Sequence, residues 1–64
     1  ISVGETVRFI NTDSQKHTAT ADDLTWGTGT MQADGTFVRR FTKAGTYTFF
    51  DSYDSGNTGA IYVE

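Results

Sequence analysis

The sequence predicts a small all-β domain built as a sandwich or barrel. Three observations carry that expectation: apolar and polar residues alternate at period two, Thr and aromatic residues are plentiful, and turn signals recur at short intervals. Aromatic residues make up 14% of the chain and Pro is absent, a composition that suits pleated, half-buried surfaces. No window carries a helical stripe long enough to compete. The 64 residues form one domain, 1-64, and a domain of that size buries only about 60% of the surface its unfolded chain exposes. Domains this small are usually reinforced by disulfides, a metal or a neighbour, and the absence of Cys removes the first of these.

The elements follow in order. Thr6 to Ile10 reads as a strand with Val7 and Phe9 on one face, entered through a Gly4-Glu5 turn. The polar run from Asn11 to Lys16 reads as a loop, His17 to Thr20 as a short strand, and Asp22-Asp23 as an exposed acidic turn. The stretch from Trp26 to Met31 carries two glycines around a large aromatic, so an irregular segment pinned by Trp26 and Met31 is expected. Asp34-Gly35 marks a turn before a strand over Thr36 to Phe41, where Arg39 interrupts the face of Phe37 and Phe41 and is expected to snorkel at a sheet margin. After a turn at Lys43-Ala44-Gly45, Tyr47 and Phe49 share a face. Asp51 to Gly59 reads as a polar, glycine-bearing loop, and Ala60 to Val63 as the last strand, with Ile61 and Val63 inward and Tyr53 and Tyr62 outward.

A net charge of -3 with scattered basic residues argues against a nucleic-acid partner. No apolar run approaches the roughly 18 residues of a membrane span, and no signal-peptide pattern is present. Nucleophilic catalysis finds no support: there is no Cys, no Gly-x-Ser-x-Gly elbow, and the single His has no evident activated Ser, so the domain is not expected to be an enzyme. Ile1 falls inside an apparent strand and Glu64 one residue beyond another, which points to a fragment, processed unit or repeat of a longer protein.

The order and spacing of Gly4-Glu5-Thr6-Val7-Arg8-Phe9-Ile10-Asn11-Thr12-Asp13, His17-Thr18-Ala19-Thr20, Gly45-Thr46-Tyr47-Thr48-Phe49-Phe50 and Gly59-Ala60-Ile61-Tyr62-Val63 resemble the plastocyanin-type blue-copper proteins over nearly the whole chain. The resemblance implies a cupredoxin-like Greek-key β-sandwich that lacks its first strand, with a neighbouring repeat or subunit expected to supply it by strand addition. It also implies that Asp22-Asp23 lies at the opposite end of the sandwich from His17, and that the copper site is lost. His17 stands at the first ligand position, but Asp51 replaces the Cys, Asp54 the second His and Asn57 the Met. Blue copper depends on the soft thiolate, so type 1 copper and electron transfer are not expected to carry over.

Asp51, Asp54 and Asn57 could instead form a hard-cation site, Ca²⁺ being the first candidate, with a solvated loop as the plainer alternative. His17 is either a remnant hydrogen-bonded to Asp51 or Asp54, or a metal ligand. These features lead to the expectation of a non-redox structural module of an extracellular or cell-surface assembly, such as a fibre or tandem-repeat surface protein. A Ca²⁺-stabilised module and a weak copper or small-ligand carrier are the alternatives.

Overall fold

The computed structural model describes residues 1-64 and contains five strands and no helix: β1 (Thr6–Ile10), β2 (Thr20–Ala21), β3 (Thr36–Arg40), β4 (Gly45–Asp51) and β5 (Asp54–Val63). They form two antiparallel sheets, β1-β3 and β2-β4-β5. In the first sheet Arg8 lies opposite Val38 and Phe9 opposite Phe37. In the second, Ala21 faces Phe49, and β4 and β5 run as a long hairpin from Gly45 opposite Val63 to Asp51 opposite Asp54.

Period-two alternation decides which side chains meet between the layers. Val7, Phe9, Tyr47, Phe49 and Ile61 point inward and pack on a buried centre of Ala21, Trp26, Phe41 and Val63. Trp26 holds the sheets together, with its ring 6.0 Å from that of Phe9 and edge-on to Phe41 at 5.5 Å. Phe9 meets Phe49 edge-on at 5.7 Å across the layers. Arg39 does not escape to a margin. Its guanidinium lies 5.5 Å from the Trp26 ring and 5.6 Å from the Phe41 ring, capping the aromatic cluster by cation–π contact.

The Asp34-Gly35 turn forms as expected. Asp34 adopts a φ of 63°, and a Cβ on Gly35 would lie 2.9 Å from the carbonyl oxygen of Gln32. Two expectations change. The short strand predicted at His17 to Thr20 is shifted to Thr20–Ala21, and His17 makes only an isolated bridge with Met31. The predicted Asp51 to Gly59 loop is mostly strand: β5 begins at Asp54, leaving Ser52-Tyr53 as the turn. Gly59 makes this possible, because a Cβ there would sit 2.5 Å from Phe49 Cζ in the ring packed across it. Before β1, the chain from Ile1 runs beside the end of β5. Val3 N–H donates to the Glu64 carbonyl at 3.1 Å, and Glu64 N–H donates to Ile1 at 2.8 Å.

Candidate functional site

One end of the sandwich carries an open cleft of about 430 Å³ whose walls include Asn11, Asp13, His17, Asp51, Asp54 and Asn57. Three segments build it: the loop after β1, the chain leading to β2, and the β4-β5 turn. Asn11 joins them. It is buried, and its side-chain amide donates to the carbonyls of Gln15 at 2.8 Å, Met31 at 2.9 Å and Gln32 at 3.2 Å. Its amide oxygen accepts from Asp13 N–H at 2.9 Å, which fixes the start of the loop that carries the Asp13 carboxylate.

Asp51 ends β4 and is only 2% exposed. One of its oxygens accepts backbone N–H groups from Thr18 and Tyr53, each at 3.0 Å. Its other oxygen meets His17 Nδ1 in a short contact, while His17 Nε2 meets the Asp13 carboxylate at 2.7 Å. Both ring nitrogens therefore face carboxylates, an arrangement that favours the doubly protonated imidazolium. The His17 pKa is raised, first by Asp13 and then by Asp51. Asp13 is lowered, chiefly by His17 and then by Ser14 N–H. Burial works to raise the Asp51 pKa, but the Tyr53 and Thr18 amides and the imidazole overcome it and hold the carboxyl below its ordinary value.

The structure thus brings His17, Asp51, Asp54 and Asn57 to one cleft, with Asp51 and Asp54 facing each other across the hairpin. The expected hydrogen bond from His17 to Asp51 is present; Asp54 is not its partner. Sequence reasoning missed Asp13 and Asn11. The signal was there in the Asn-x-Asp spacing of an Asx turn and in the four-residue step from Asp13 to His17, but both residues were read as ordinary loop. Asp22 and Asp23 line a separate hollow with Trp26 and Tyr47, and His17 is not among its walls.

No three His, Cys, Asp or Glu side chains converge on one point able to hold an ion. The geometry explains this, since Asp13 and Asp51 bind opposite edges of the His17 ring and cannot share a centre with it. A thiolate-centred copper site does not fit a chain with no Cys. The flexible oxygen-rich loop expected for Ca²⁺ is replaced by a paired strand, and both Asp51 oxygens are already committed to other groups.

No family model matches this chain, and no curated protein matches it. Among solved structures, a purple cupredoxin from Nitrosopumilus maritimus superposes with a TM-score of 0.93 at 24% identity, covering 100% of this chain and 74% of its own. An amicyanin variant in its Cu(I) form gives 0.86 at 28% identity, covering 98% of this chain and 65% of that one. The domain is cupredoxin-like. A second amicyanin variant, in an oxidized state, gives the same figures, so this cupredoxin-like domain spans just under two thirds of the amicyanin chain.

These likenesses correct the expected function. The neighbours are a purple cupredoxin and amicyanin variants in Cu(I) and oxidized forms, which lends no support to a non-redox structural module. Nothing in the fold points to a fibre, a tandem repeat or an extracellular assembly. A missing thiolate does not by itself make the domain a structural module, since His17 and an open, donor-lined cleft are both present.

Proposed function

We propose that this cupredoxin-like domain binds a divalent copper ion weakly in the cleft, with His17 as its nitrogen ligand and Asp51, Asp54 and Asn57 brought around the ion only by rearrangement, because these side chains share no ready-made centre while His17 is held between Asp13 and Asp51. The observation that carries this reading is that His17 and the residues at the three replaced ligand positions line one cleft, on a fold whose solved neighbours include a Cu(I) form. Imidazole and carboxylate oxygen suit Cu(II), which leads the divalent first-row ions in affinity at such sites, whereas soft Cu(I) prefers sulfur. Copper bound there would supply a Lewis-acidic centre held by hard donors.

The resident proton opposes that binding. An ion can take a His17 nitrogen only after the ring gives up a proton and one carboxylate lets go, so affinity rises with pH. The domain acts by binding rather than by catalysis. The fold likeness also supports, at the same level of proposal, a location outside the cytoplasm.

Titration with Cu(II) at pH 8, read by calorimetry and electron paramagnetic resonance, tests the reading. The expected result is one equivalent bound with a nitrogen coupling that disappears in His17→Gln, and weaker binding of Zn(II) and Ca²⁺. Absence of a stoichiometric Cu(II) signal, or an unchanged signal in His17→Gln, would overturn it.

A further inference from the structure

The cleft holds one donor that the copper reading leaves unused. Met31 is the only sulfur of the chain and His17 its only imidazole, and the fold sets the two residues opposite each other. Met31 N–H donates to the His17 carbonyl at 2.8 Å, and His17 N–H donates to the Met31 carbonyl at 3.1 Å. Two residues that exchange both backbone bonds in an antiparallel pair send their side chains to the same face, with Cβ atoms about 4.5–5.5 Å apart. That face opens on the cleft, which both residues line. Asn57, at the position where the resemblance places a Met ligand, reaches the cleft from β5, so Met31 is a sulfur brought in from a different segment.

The main chain of Met31 is held in place while its side chain is left adaptable. Besides the two bonds to His17, its carbonyl accepts the Asn11 side-chain amide at 2.9 Å. The side chain is buried yet belongs neither to the central cluster around Trp26 nor to the apolar residues packed against it. An unbranched thioether turns about several bonds, so its sulfur can meet an ion with no movement of the backbone. Its chemistry differs from that of the other walls. Carboxylate oxygen is a hard donor, whereas a thioether selects soft Cu(I). A soft monovalent ion also needs fewer donors than a hard divalent one, so the lack of a centre shared by three His or carboxylate groups does not count against it.

We infer that Met31 Sδ and one nitrogen of His17 bind a soft monovalent ion, Cu(I) in the first place, within the cleft. The inference rests on the copper reading for the choice of cleft and of His17, and adds a donor that Cu(II) does not favour. The ion arrives already monovalent, so no electron is transferred on binding. One His17 nitrogen exchanges its proton and its carboxylate partner for the ion, and the sulfur contributes a lone pair. The two oxidation states thus share the imidazole and differ in the donor beside it, oxygen for Cu(II) and sulfur for Cu(I).

Ag(I) is the probe, because it is soft, monovalent and stable in air. It is added as the nitrate in chloride-free buffer, and the single Met methyl is followed by ¹H–¹³C NMR. One equivalent should shift the Met31 methyl and the His17 ring signals together. Met31→Leu, which nearly conserves volume, should weaken Ag(I) binding by at least the roughly tenfold that even supporting partners of a metal ligand are worth, and leave Cu(II) binding unchanged. His17→Gln should weaken both ions. A Met31 methyl that stays in place at excess Ag(I) would overturn the inference without recourse to any variant, and so would equal Ag(I) affinity in Met31→Leu. Either result leaves the Cu(II) reading standing, whereas Ag(I) binding through Met31 with no Cu(II) signal would support the inference and overturn that reading alone.

Discussion

Removing the side-chain amide of Asn11 should destabilise the domain more than any other single change at the cleft. In Asn11→Ala the carbonyls of Gln15, Met31 and Gln32 lose their donor and Asp13 N–H loses its acceptor. A net hydrogen bond contributes about 0.5–1.5 kcal/mol, and a buried group left unpaired costs about 1–3 kcal/mol. The Met31 carbonyl contact is buried, while those to Gln15 and Gln32 are partly open and can recruit water. Together these give a loss of about 2–4 kcal/mol. At roughly 0.05–0.15 kcal/mol per residue, total stability is on the order of 3–10 kcal/mol, so the loss is a large fraction of the margin and should appear as a clearly lower unfolding midpoint. Urea unfolding followed through the single Trp26 measures the loss. Asn11→Asp separates hydrogen bonding from packing, because it keeps the volume and turns the donor into an oxygen facing three carbonyls. It should cost at least as much as Asn11→Ala. An Asn11→Asp protein within 0.5 kcal/mol of the parent, a margin set against the typical net hydrogen bond, would refute the reasoning.

The pH dependence of the metal-free protein follows from the imidazolium and its carboxylates. His17 holds its proton more tightly when folded, so its contribution is complete below the unfolded value of 6.5 and fades as pH rises through the higher folded value. Asp13 and Asp51 lose theirs more readily when folded, so their contribution is present above 3.8 and disappears as pH falls through their lower folded values. Melting temperature should therefore be highest between these limits, and His17→Gln should remove the alkaline fall; an unchanged alkaline limb would exclude His17 as its source. Gly59→Ala should cost about 1–3 kcal/mol by pushing Phe49 out of its place on the hairpin, visible as a lower urea midpoint. Tyr47→Phe removes the hydroxyl that donates to the Lys43 carbonyl at 2.5 Å and should cost about 0.5–1.5 kcal/mol by the same assay.

Much of the fold was legible because alternation is a local signal. Val7 and Phe9 in β1, Tyr47 and Phe49 in β4, and Ile61 and Val63 in β5 all fall on the faces that their spacing assigns them. The start of β5 was not legible. Asp54-Ser55-Gly56-Asn57-Thr58-Gly59 has the composition of a turn, and it becomes a strand only because β4 offers a paired backbone opposite it, a tertiary effect that propensity cannot carry. Arg39 misled for a related reason, since its inward position is satisfied by aromatic faces contributed from elsewhere in the chain. At the cleft, ligand-position reasoning located His17, Asp51, Asp54 and Asn57. Asn11 and Asp13 escaped it because their roles depend on carbonyls and a ring that the fold brings in from up to 21 positions away.

The two-residue turn at Ser52-Tyr53 also sets an order of events. A hairpin closed by so short a connection loses little chain entropy and forms in about 1–10 μs, well before distant segments find each other. Asp51 meets His17 across 34 positions in sequence, so that contact must await the return of the chain from β1. The carboxylate wall is thus in place first, and the imidazole arrives to find its counterion waiting. Substitutions at His17 should leave the folding rate nearly unchanged and act on the rate of unfolding instead.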